Sequence, residues 1–88
     1  MITTEQVNAI AAKIETMGVD EATVSVLRQQ YQPIHFTYCM DDDLPNNTPI
    51  IEHKDFNLYL IDGREHCLCL TNDYEVATGI VVAEIIPD

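Results

Sequence analysis

The chain has 88 residues, and fifteen Asp plus Glu against four Lys plus Arg give a formal net charge of −11, which argues against nucleic acid and anionic membrane surfaces as partners. Apolar residues at 47% and charged residues at 22% belong to a globular domain, and the length allows one domain, residues 1–88, with a small core. No apolar run approaches the about 18–20 residues of a membrane-spanning helix, and the N-terminus lacks a basic start and apolar stretch, so a cytoplasmic location is expected.

Thr3 is placed to cap a first helix, with Gln6 reaching back as its partner in a capping box. Val7, Ile10, Ala11, Ile14 and Met17 then recur at helical spacing as one apolar stripe. Gly18 stands where a left-handed C-terminal residue is expected. Asp20 is a second N-cap, and Glu21 in the first turn complements the helix dipole. Val24, Leu27, Arg28 and Tyr31 share a face, and Pro33 stops the helix by Gln32. Residues 4–32 read as a helical hairpin.

From Ile34 the period changes to two, with Ile34, Phe36, Tyr38 and Met40 on one side and His35, Thr37 and Cys39 on the other. Asp41 to Pro49 reads as a loop. A second strand covers Asn57 to Ile61, with an earlier start at Ile50 open and a break at Lys54-Asp55. Asp62-Gly63 signals a hairpin, and Glu65 to Leu70 returns. A three-residue loop, Ile61 to Gly63, would pair Leu58 with His66 and Phe56 with Leu68, gathering the apolar side chains on one face. Asn72 with Glu75 suggests a cap for a third helix over 73–86, although Gly79 and the run Ile80-Val81-Val82 favour a strand. The expected fold is α+β, ordered α-α-β-β-β-α, with a three-stranded antiparallel sheet over 34–70 and helices mainly on one face.

Three cysteines, Cys39, Cys67 and Cys69, form an odd set without an export signal, so reduced thiols are expected. In the expected register, all three share one sheet side with His35. Cys67 and Cys69 would then stand about 6.6–6.8 Å apart at Cα. Thiolates at this spacing, completed by Cys39 or His35, have the donor set of a metal site. The paired Cys-x-x-Cys spacing is missing, and cysteine also serves as a small packing residue. Asp41, Asp42 and Asp43 lack the ligand alternation of a calcium loop and read as a solvated acidic loop or the contact for a basic partner. His66 is expected toward the apolar face and His53 in solvent.

An enzyme is not expected. Ser25 is the only serine and lies within a helix, and three glycines offer no phosphate-cradling loop. A chain this short leaves little room for a substrate cleft. No cofactor is implied.

The stretches from Ile34 to Asp43 and from Phe56 to Leu70, followed by Ala77-Thr78-Gly79, resemble a small proteobacterial family known only as a domain of unknown function. The resemblance covers roughly residues 20–86, implies no activity, and carries an association with nitrogen-fixation genes. The functional expectation is an accessory protein that binds another protein bearing a basic patch, through Asp41, Asp42 and Asp43 and the sheet edge beside them. The rival is a metal-binding or metal-delivery protein using Cys39, Cys67, Cys69 and His35. An exposed edge strand would also permit a homodimer.

Overall fold

The computed structural model describes residues 2–44, 47–63 and 69–86. Two helices, α1 (Thr4–Met17) and α2 (Glu21–Gln30), precede β1 (His35–Met40), a single 3-10 turn (Asp41–Asp43), β2 (Ile51–Glu52), β3 (Phe56–Asp62), β4 (Cys69–Thr71) and β5 (Gly79–Glu84). No helix among the described residues is long and apolar enough to cross a membrane.

The helical hairpin forms from the local signals that predict it. Gln6 N donates to Thr3 Oγ1 at 3.1 Å, and Thr3 N donates to Gln6 Oε1 at 3.0 Å, so the capping box is complete. Val7, Ile10 and Ile14 are buried, but Met17, the last residue of α1, is 46% exposed. Gly18 adopts φ +102° and ψ 160°, an extended positive-φ conformation close to glycine-only territory, rather than the left-handed helical one expected. Asp20 Oδ1 accepts from Thr23 N at 2.8 Å and starts α2, which buries Val24 and Leu27. Arg28 is not part of that face: its guanidinium reaches outward to Glu21 and to the Phe36 carbonyl.

The sheet differs from expectation. It is five-stranded and mixed, ordered β1-β5-β3-β2, with β4 also on β3. The expected C-terminal helix over 73–86 is instead a turn followed by β5, which runs parallel to β1 and antiparallel to β3 between the two. Gly79 to Ala83 are buried, as the continuous apolar run of a strand covered on both faces. Such a run meets helical and extended spacing alike, so its periodicity could not decide. A Cβ on Gly79 would stand 2.8 Å from the His35 carbonyl oxygen, so glycine is what allows β1 and β5 to approach here. The suggested Asn72 cap is replaced by a turn in which Asp73 Oδ1 accepts from Glu75 N at 2.9 Å.

The register of β4 on β3 also differs from expectation. Asp62 pairs with Cys69, Ile61 with Leu70 and Leu60 with Thr71. The reason is competition for one edge of β3: β2 pairs Ile51 with Leu58 and Glu52 with Asn57, leaving β4 only the far end. The expected partners His66 and Leu68 lie outside the described residues. Lys54-Asp55 proves to be the β2–β3 turn. His53 is half-buried there rather than in solvent, its ring stacked on Phe56 at 4.4 Å and its Nε2 3.6 Å from Glu15 on α1.

One face of the sheet carries Phe36, Phe56, Leu58, Leu60, Ile80 and Val82 against Val7, Ile10, Ile14, Val24 and Leu27 of the helices. Each such fully buried aliphatic or aromatic side chain contributes about 1.5–3 kcal/mol. The other face holds Tyr59, Ile61, Val81 and Ala83, against which Cys39, Leu44 and Leu70 pack, and neither α1 nor α2 lies on it.

Candidate functional site

The three consecutive aspartates do different things. β1 alternates faces, so Cys39 and then Asp41 lie over the side that carries no helix. Ala83 of β5 stands opposite both Cys39 and Asn57 and offers only a methyl group. Asp41 reaches across β5 at this low point. Its Oδ1 accepts from Asn57 Nδ2 at 3.0 Å and from the Tyr59 hydroxyl at 2.9 Å, both on β3. Leu44 N donates to the Asp41 carbonyl at 3.0 Å, closing the turn and setting Leu44 onto the second cluster. Asp41 is half-buried, whereas Asp42 and Asp43 are exposed. The first aspartate anchors the turn, and the next two are displayed by it.

Burial, then the hydrogen bond and charge of Asp41, push the Tyr59 phenol up, so it stays a neutral donor to that carboxylate. Burial also raises the Cys39 thiol, helped by the charges of Asp43 and Asp41. That environment keeps Cys39 protonated and disfavours thiolate chemistry.

Among the described residues, the proposed metal ligands His35, Cys39 and Cys69 are not gathered together. His35 is exposed at the start of β1, and Cys39 follows four residues later, about 13 Å along the strand at 3.3 Å per residue. Cys69 is exposed and pairs with Asp62, which the alternation puts on the side opposite Cys39. The expected register would have put both thiols on one side, but an odd displacement of register exchanges the faces. Cys67 lies outside the described residues. Among the described residues, no group of three His, Cys, Asp or Glu side chains is close enough to hold a metal ion, and neither Cys39 nor Cys69 is in a disulfide.

Further acids stand along the rim of β1. The Tyr38 hydroxyl donates to Glu84. Its phenol is pushed up to about 12, chiefly by that bond, then by burial and by the charges of Glu84, Asp20 and Glu21. Arg28 Nη1 pairs with Glu21 at 2.9 Å, while Arg28 Nε donates to the Phe36 carbonyl at 3.3 Å. From sequence Asp20 and Glu21 signal only helix capping, and nothing near Glu84 in the chain points to Tyr38. Placing β5 beside β1 was the missing step. A cleft of about 470 Å³ lies at the other end of β1, between Gln6, Tyr31, Pro33, His35 and Thr78. Among the described residues that line it, none is a carboxylate that could pair with His35 as an acid–base couple.

The architecture is a two-layer α+β domain with an acidic turn hung over its helix-free face. The chain belongs to DUF6129, a family of unknown function, whose model matches residues 9–85. No curated protein and no solved structure matches it.

Proposed function

We propose that the protein is a non-enzymatic, cytoplasmic accessory factor that acts by binding another protein that bears a basic patch. The observation that carries this reading is the division within Asp41–Asp43: one carboxylate is bonded to β3 and two are held out on the turn it anchors. A net charge of −11 gives the surface a long-range preference for cationic partners. By its resemblance to a family associated with nitrogen-fixation genes, a nitrogenase component or maturation factor is the first partner to try. Affinity capture with the tagged full chain tests the reading. The double variant Asp42→Asn, Asp43→Asn is expected to lose the captured partner at moderate salt while unfolding like the parent. Equal capture by parent and variant would remove these two residues from the contact.

A further inference from the structure

We propose that the outer edge of β1 takes up an extended, Lys- or Arg-bearing segment of the partner as an added strand. This inference rests on the protein-binding reading above and supplies its geometry. In the sheet order β1-β5-β3-β2, no strand among the described residues covers the far side of β1. His35 N donates inward to the Thr78 carbonyl, so the alternation along the strand turns the main-chain groups of Phe36, Tyr38 and Met40 outward. The outward Phe36 carbonyl is already used in this way, since Arg28 Nε donates to it at 3.3 Å.

Edges of this kind are normally blunted by proline, lysine, a bulge or extreme shortness. His35–Met40 has six residues and none of those devices, and the Arg28 bond to the Phe36 carbonyl is the side-chain contact on this edge. That contact is a single long bond from Nε at 3.3 Å, and the Arg28–Glu21 pair that holds the guanidinium is 44% and 63% exposed and worth about 0–1 kcal/mol. An incoming backbone N–H can replace Arg28 on the Phe36 carbonyl. Glu21 is then released toward a cation on the added strand.

The rim decides the chemistry of the occupant. Asp20 and Glu21 stand near Tyr38, and Asp42 and Asp43 follow the C-terminal end of β1. A second copy of this chain would bring another −11 to the same edge. A segment alternating basic and β-branched residues meets both the main-chain groups and the carboxylates.

The probe is a synthetic peptide of alternating Lys and Val, titrated into the full chain labelled with ¹⁵N, beside a Glu and Val peptide of equal length. The expected result is binding of the Lys peptide alone, with slowed hydrogen exchange at the Phe36, Tyr38 and Met40 amides. The Asp42→Asn, Asp43→Asn variant should bind it about threefold to tenfold more weakly, as loss of two exposed ion pairs implies. Arg28→Ala should bind at least as tightly as the parent. Binding that shifts only the 41–43 turn overturns the added-strand inference and leaves the acidic contact standing. Failure of the Lys peptide to bind overturns the inference as well, with the acidic contact still judged by capture. Equal binding of the Glu peptide overturns the charge assignment. Protection of the same amides without peptide, in a chain that sediments as a dimer, makes a second copy the occupant and overturns the proposal.

Discussion

The two faces of the sheet are closed in different ways. On the helix-covered face, Phe56, Leu58, Leu60, Ile80 and Val82 are fully buried against the helices. On the other face, Leu44 of the turn and Cys39 and Leu70 of neighbouring strands pack against the buried cluster, and its outer boundary is polar: Asp41 bonded to Asn57 and Tyr59. The difference separates stability from display. Apolar burial holds the fold, while one hydrogen-bonded carboxylate holds the segment that presents Asp42 and Asp43.

The largest expected effect lies on the helix-covered face. Leu58→Ala should lower unfolding free energy by about 2–5 kcal/mol, the range for fully buried leucines. Leu44→Ala, on the half-buried cover of the second face, should cost about 1 kcal/mol. Urea denaturation of the pair sharpens the contrast, and equal losses would break it. Next comes Gly79→Ala, which drives a methyl group against the His35 carbonyl and should cost about 1–3 kcal/mol. A neutral outcome would count against β5 lying beside β1.

The smallest effect is a pH dependence. The Tyr38 phenol sits at about 12, above its ordinary 10.0, so the fold favours the neutral form. Its contribution is fully present below pH 10 and is lost as pH rises through 12. Tyrosinate absorbance should show a last step near pH 12 that Tyr38→Phe removes. The stability of that variant should also fall less steeply above pH 10. Retention of the step in Tyr38→Phe would assign it to another tyrosine.

The parts readable from sequence are those decided by near neighbours. Thr3, Gln6 and Asp20 cap their helices through bonds spanning three residues, and the alternation from Ile34 to Met40 reproduces the two sides of β1. Residues 79–84 carry a strand signal in Gly79 and Ile80-Val81-Val82, but their spacing does not decide, because an unbroken apolar run suits either period and their partners, 35–40 and 56–61, lie far away in the chain. The register of β4 was hidden because β2 takes the near part of the edge of β3. The acidic turn was visible as a candidate contact, but the separate role of Asp41 depends on Asn57, Tyr59 and the small Ala83, which only the assembled sheet brings beneath it.

The most direct measurement is urea unfolding of Asp41→Asn beside the double variant Asp42→Asn, Asp43→Asn. Loss of charge on the accepting carboxylate should cost Asp41→Asn about 1–2 kcal/mol. The double variant should stay within about 0.5 kcal/mol of the parent, as exposed substitutions do. Equal effects from the two would contradict the division between an anchoring aspartate and two displayed ones.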